Sequence, residues 1–250
     1  MNIDLTDKVA LVTGASRGIG RATALLLAKV GAKVIINFRK SEEKAAELRK
    51  DISAAGGEAE IFKADIAKPE DVQALFNFVR TKYGRIDILV NNAGIIKDNL
   101  LLTMNLKEWD SVLDTNLRGA FLCTQSAAEM MMTNHSGKII NISSIVALNA
   151  TRGQANYASA KGGLISFTRT CAVELSGKGI QINAVLPGMI VTDMSTRVLK
   201  RAGERILERI PAGRYGEPED VAKLIVFLCS SHADYITGQA ISVDGGMSIS

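Results

Sequence analysis

The chain has 250 residues, 47% of them hydrophobic and 22% charged, with 22 glycines, 4 prolines and a formal net charge of +4. A chain of this length buries roughly three quarters of its unfolded surface and needs no staple. Two histidines (His135, His232) and three cysteines (Cys123, Cys171, Cys229) stand at no metal-ligand spacing, which excludes zinc ribbons, His-rich metallohydrolases and disulfide scaffolds. No metal site is expected, and catalysis has to run largely without imidazole or thiolate. The charge is mild and lacks aromatic interleaving, so no nucleic-acid partner is expected.

The amino end is short and acidic, unlike a signal peptide, and no window approaches the roughly 20 apolar residues of a membrane span. With dispersed cysteines that read as reduced, a cytoplasmic protein with no membrane partner is expected. Short β-branched runs then recur at 9–13, 33–37, 59–63, 86–90, 138–142, 181–185 and 240–243. Near-continuous apolar runs of this kind suit parallel strands covered on both faces. Between them lie helical patterns. Residues 18–30 are Ala/Leu-rich and end at Gly31, Ser41 is placed to cap a charged helix, and Pro69 and Pro218 each open a segment with two acids. This alternation, with no linker or repeat, predicts a single-domain α/β Rossmann-type doubly wound parallel sheet of about seven strands spanning residues 1–250.

Directly after the first strand, Gly14, Ser16, Arg17, Gly18, Ile19 and Gly20 form a G-x-x-x-G-x-G turn. Glycines allow a tight turn and close backbone approach, and the following helix aims its positive end at a pyrophosphate. At the end of the second strand an NAD site places an acid for the ribose hydroxyls. Here the chain reads Asn37-Phe38-Arg39-Lys40. Arg39, with Arg17, suits a 2′-phosphate instead, so the expected cofactor is NADP(H).

Tyr157 and Lys161 stand at i and i+4 on a predicted helix, where an ammonium would pull a phenol's pKa from about 10 toward the working range. Ser144 follows the 138–142 strand at a carboxyl end, where ligands bind in such sheets. Its neighbour Ser143 is the less favoured candidate by spacing to Tyr157. Asn91 is expected to cap its strand end, and Tyr83, Tyr215 and Tyr235 lack a lysine four residues on and read as structural.

The glycine turn, Asn91-Asn92-Ala93-Gly94, Asn116, Ser144, Tyr157-x-x-x-Lys161 and Pro187-Gly188 occur in one order over essentially the whole chain. This set resembles the short-chain dehydrogenase/reductase family. The resemblance implies that Tyr157 exchanges a proton with the substrate oxygen, that Ser144 holds that oxygen, and that Lys161 lowers the tyrosine pKa and binds the nicotinamide ribose. It gives Asn116 a water relay, although that residue also reads as a polar helix-kinker. Gly14, Ser16, Arg17, Gly18, Ile19, Gly20, Arg39, Asp65, Ile66, Asn92, Gly94, Pro187, Gly188, Ile190 and Thr192, together with Tyr157 and Lys161, would contact the cofactor.

Segments such as Gly153-Gln154-Ala155-Asn156-Tyr157 and Ile210-Pro211-Ala212-Gly213-Arg214 are similar to those of bacterial reductases acting on 3-oxoacyl groups of acyl carrier protein. They imply NADPH-dependent reduction of a 3-oxoacyl thioester and a homotetramer built on helices around 105–132 and 156–177. Action on another secondary alcohol or ketone (a polyketide intermediate, steroid or sugar) and a non-enzymatic role as an NADP(H) sensor or scaffold stay open. A substrate lid is expected over 188–214, with Met189, Met194 and Leu199 favouring an acyl group. Within it Arg197, Arg201, Arg205 and Arg209 would share one helical stripe, either a solvated face or a dock for an acidic carrier protein or coenzyme A phosphates. The subfamily's two carrier-docking basic positions fall at His135 and Lys178.

Overall fold

Along each strand the side chains alternate between two buried faces, so Ala10 and Val12 join one core while Val9 and Leu11 join the other. The computed structural model describes residues 2–250, with the Arg197 side chain outside the described set. Its strands are β1 (Val9–Val12), β2 (Lys33–Phe38), β3 (Ala59–Lys63), β4 (Ile88–Asn91), β5 (Gly137–Ile142), β6 (Ile180–Pro187) and β7 (Ala240–Val243). All seven run parallel in one sheet ordered 3-2-1-4-5-6-7.

On one face lie α1 (Gly18–Lys29), α2 (Glu42–Ala54) and α8 (Pro218–Cys229). On the other lie α3 (Pro69–Tyr83), α5 (Gly119–Thr133) and α6 (Ala155–Leu175). A short α4 (Leu106–Leu113) runs into α5 through a π turn over Asp114–Arg118. Strand order reverses between β1 and β4, and the chain leaves both strands there into loops that face each other. In open parallel sheets this crevice is where ligands settle.

Local signals explain most boundaries. Pro69 and Pro218 stand at the first helical positions, with acids beside the positive helix ends. Gly31 follows the last turn of α1 at φ 97°. Ser41 occupies the cap of α2 but makes no side-chain cap bond. Its ψ of 69° departs from the extended cap conformation that aims the hydroxyl at the first-turn amides.

Asn91 does not cap β4 either. It is the strand's last residue, but its side-chain amide donates to Asn141 Oδ1 (2.8 Å) and Thr124 Oγ1 (3.0 Å), while Asn141 donates to Thr168 Oγ1 (2.9 Å). This buried polar chain ties α5 and α6 to the sheet beneath the crevice. Tyr83 and Tyr215 pack on the cores as expected, whereas Tyr235 is fully exposed.

The lid departs most from expectation. Its stems close through an Ile190–Gly216 bridge, and α7 (Thr196–Leu207) is kinked at Ala202, whose φ of −143° is not helical. The kink and the end of the helix at Leu207 break the arginine stripe, leaving Arg209 beyond α7. Burial of Ile206 and Ile210 against Leu186 and Met247 sets this path. Arg201 and Arg205 are exposed, and the Arg197 side chain lies outside the described set.

Candidate active site

One cavity of about 490 Å³ runs along the carboxyl ends of the strands, from the glycine turn to the lid. Every expected site residue lines it except Gly20 and Asn116. Those two act from behind. A Cβ on Gly20 would lie 2.4 Å from Asn92 Nδ2 and 2.9 Å from the Gly14 oxygen. The helix can approach the turn this closely only without a side chain there. Asn92 Nδ2 in turn donates to the carbonyls of Thr13 (2.9 Å) and Gly14 (3.1 Å), so the end of β4 braces the turn. Gly14 itself sits at φ 61° and its amide donates to Asn37 Oδ1 (3.2 Å).

The first turn of α1 carries no acid and no side-chain cap, so its amides face the cavity's glycine end as an anion cradle. The donor set thus fits a dinucleotide's pyrophosphate. At the adenosine end Phe38 stands where an acid would read a ribose, and Arg17, Arg39 and Lys40 line the wall. Arg39 meets Asp65 at 3.5 Å, and Arg17 meets the lid's Asp193 at 3.7 Å.

At the other end the π turn swings Asn116 toward the loop after β4. Its Oδ1 accepts from the Ile95 amide (2.8 Å) and its Nδ2 donates to the Ile95 carbonyl (2.9 Å). A Cβ on Gly94 would lie 3.1 Å from Asn116 Oδ1 and 3.6 Å from Lys161 Nζ, so the bare backbone of Gly94 lets these two groups converge. Lys161 is buried and its ammonium donates to the Ile142 carbonyl at 2.6 Å, 5.7 Å from the centre of the Tyr157 ring. Ser143 also lines the cavity, but its hydroxyl is spent on the Lys161 carbonyl (2.8 Å). Ser144 faces the cavity with Tyr157.

Electrostatics here differ from the expectation of an acidified tyrosine. Burial pushes the Tyr157 phenol up to about 12; the adjacent Ser144 hydroxyl lowers it and the charge of Asp98 raises it further. Burial also brings Lys161 down to about 8. Desolvation is the largest cause of both shifts. Near neutral pH the phenol keeps its proton and the ammonium keeps most of its charge. The arrangement is a proton donor backed by a cation.

The substrate end is walled by Met189, Met194, Val198, Ile206 and Met247, with Arg209 beside them. Leu199 is not in this wall. Across from it Gln154 Nε2 donates to both oxygens of Asp98 (3.1 and 3.2 Å), joining the loop after β4 to the start of α6. His135 and Lys178 stand just before β5 and β6, a strand's length of roughly 20 Å from Ser144 at the opposite ends. On their own subunit they do not flank the site. Among the described residues no group of His, Cys, Asp and Glu could hold a metal ion, and no helix is long and apolar enough to cross a membrane.

A family model described as enoyl-(acyl carrier protein) reductase matches residues 14–248. The chain belongs to the short-chain dehydrogenase/reductase family. A 3-oxoacyl-[acyl-carrier-protein] reductase of Synechocystis sp. is 50% identical over 244 residues, covering 97% of this chain and 98% of that protein. A protein of the same description from Staphylococcus epidermidis is 48% identical, covering 96% and 99%. A solved short-chain type dehydrogenase/reductase from Mycobacterium marinum superposes with a TM-score of 0.94 at 34% identity, covering 99% of this chain and 98% of that one. Family membership makes the chain an oxidoreductase that works with a nicotinamide cofactor.

Several contributors lay outside the sequence reading. Asn37, buried at the end of β2, holds the glycine turn and donates to the Ala64 carbonyl (3.1 Å); a lone amide in an apolar run was its only signal. Asp193, Asp98 and Met247 carried none, since their partners are remote in sequence, and Gln154 was read only as part of the Gly153–Tyr157 segment.

Proposed function

We propose that this dehydrogenase/reductase uses NADPH to reduce a 3-oxoacyl thioester, borne on acyl carrier protein or coenzyme A, to the 3-hydroxyacyl thioester. One observation carries the reading: Ser144, Tyr157 and Lys161 meet at one end of the cavity, where the phenol keeps its proton near neutral pH and can hand it to a carbonyl oxygen. When bound, the reduced nicotinamide supplies the hydride to the carbonyl carbon. Ser144 donates a hydrogen bond to the substrate oxygen, and Tyr157 Oη gives its proton to that same oxygen. The phenolate left behind is stabilised by the Lys161 ammonium, which the Ile142 carbonyl fixes in place. Asn116, by gripping Ile95, keeps the loop after β4 against Lys161; its place beside Lys161 suits a water relay to that ammonium.

The methionine-rich wall supports an acyl group, and the relatives' descriptions support the thioester. The missing acid at Phe38, with Arg17 and Arg39 on the wall, supports NADPH. A cytoplasmic setting is supported by three free thiols, two of them buried. A homotetramer through α5 and α6 is supported by Phe121 and Val173, exposed by 43% and 83% on those helices.

A second reading, reduction of an enoyl thioester's double bond, is favoured by the description of the matching family model. One assay separates them. NADPH oxidation is followed with acetoacetyl and with crotonyl thioesters of pantetheine, coenzyme A and acyl carrier protein, and repeated with NADH. Turnover of the acetoacetyl series alone is expected, with NADPH preferred. Turnover of crotonyl thioesters alone moves the chain to the second reading.

A further inference from the structure

The adenosine end of the cavity is crowded with charge. Arg17, Arg39 and Lys40 line it, and Lys44 stands just behind on α2. Against these cations the fold sets two carboxylates, Asp65 on Arg39 and Asp193 on Arg17 and Lys44. Asp193 belongs to the lid, 149 residues from Lys44. One of its oxygens, Oδ2, takes both the Lys44 ammonium (3.2 Å) and the Arg17 guanidinium (3.7 Å). Among the described residues these two cations are the only partners of that carboxylate. The preceding residue, Thr192, lies against the glycine turn, 3.3 Å from where a Cβ on Gly18 would be. The lid is thereby fastened over the turn by a group carrying the same sign of charge as a phosphate.

We propose that Asp193 competes with the cofactor's 2′-phosphate for Arg17 and Lys44. This lid carboxylate and Lys44 then set how strongly the site prefers a phosphorylated dinucleotide. The inference rests on the Arg17–Arg39 end being where that phosphate sits. All three partners of the Asp193 contact are more than half exposed, so the pair adds little to stability. Its consequence is for binding. A phosphate dianion arriving beside Arg17 meets cations already shared with a monoanion; Asp193 repels the pyrophosphate of both cofactors alike, so the 2′-phosphate carries the difference between them.

The test is calorimetric titration of the wild type and of Asp193→Asn with NADP+ and with NAD+. Coulomb interaction of a unit charge with a dianion about 6 Å away in a water-like dielectric corresponds to about tenfold in affinity. Asp193→Asn is therefore expected to raise the NADP+/NAD+ affinity ratio by about tenfold at low ionic strength, the gain shrinking as salt is raised. Lys44→Met is expected to weaken NADP+ several-fold and to leave NAD+ unchanged. An unaltered NADP+/NAD+ ratio in Asp193→Asn, or an equal loss for both cofactors, would overturn the proposal and leave Asp193 as a lid fastener. A wild type that prefers NAD+ counts against the NADPH reading instead, and the shift of the ratio in Asp193→Asn still decides the role of Asp193.

Discussion

The two ends of the cavity are built on different principles. At the nucleotide end the backbone dictates the residues. Gly20 has no room for a methyl group, Asn92 and Asn37 are spent on main-chain partners, and the strands beneath are fully buried. At the lid end the side chains dictate the shape. α7 is kinked, its described charges are exposed, and Ile206, with Ile210 beyond the helix, packs on Leu186 and Met247. An end made of backbone fails abruptly when altered, whereas one made of side chains should shift its preference gradually. Between them sits the Tyr157–Lys161 pair, where chemistry depends on burial.

The largest effect belongs to that pair. Tyr157→Phe removes the proton donor but keeps the ring against Lys161, so turnover should fall by about 10³-fold. Cofactor affinity should stay within about twofold, because the nucleotide end is untouched. Steady-state kinetics with a fluorescence titration of NADPH checks both; a parallel loss of binding would show that the two ends are not separable. Next comes Gly20→Ala. The added methyl meets Asn92 and the Gly14 carbonyl, which are backbone or pinned to it and cannot yield cheaply. A cost of about 2–3 kcal/mol in denaturant unfolding and at least tenfold in cofactor affinity are expected. If Gly20→Ala folds and binds like the wild type, the contrast between the two ends fails at its strongest point.

The pH profile tests the middle. Lys161 is charged below about 8 and neutral above it, whereas Tyr157 holds its proton up to about 12. Reduction needs the phenol's proton and the ammonium that stabilises the phenolate left behind. The rate constant kcat/KM for reduction is therefore expected to be level below about pH 8 and to fall up to tenfold per pH unit above it. A profile flat to pH 10 would show that the charge of Lys161 is not required in the rate-limiting step.

The same contrast explains what the sequence made legible. The parallel sheet of about seven strands, the glycine turn and the Tyr157–Lys161 spacing were readable because sterics and helical period restrict which residues can stand there. The arginine stripe was misread. A four-residue recurrence specifies a helix face only while the helix stays straight, and the bend at Ala202 follows from burial of Ile206 and Ile210. The direction of the tyrosine shift was misread as well, since the spacing reveals the attraction but not the desolvation that is the largest cause of the shift. Asp193 was invisible because its partners come from the glycine turn and α2. Surface ion pairs between remote segments leave no periodic mark.

The smallest expected effect lies in the lid's own wall. Met247 is fixed by the tail that carries it: Asp244 accepts from the Gly246 (3.0 Å) and Ser248 (2.8 Å) amides, and Ser250 Oγ donates to the Arg209 carbonyl (2.9 Å). Its side chain is 9% exposed and shared between the core and the cavity. Met247→Ala should cost about 2 kcal/mol of stability and deepen the apolar wall by a few methylene groups. Each methylene an acyl chain then buries is worth about 0.8 kcal/mol at most. Partial collapse of the site takes back much of that, so kcat/KM for a twelve-carbon relative to a four-carbon 3-oxoacyl thioester should rise only about threefold to tenfold. A graded response of this kind is what a wall of side chains predicts. An all-or-none loss of both substrates would mean that the lid end is as rigidly determined as the glycine turn.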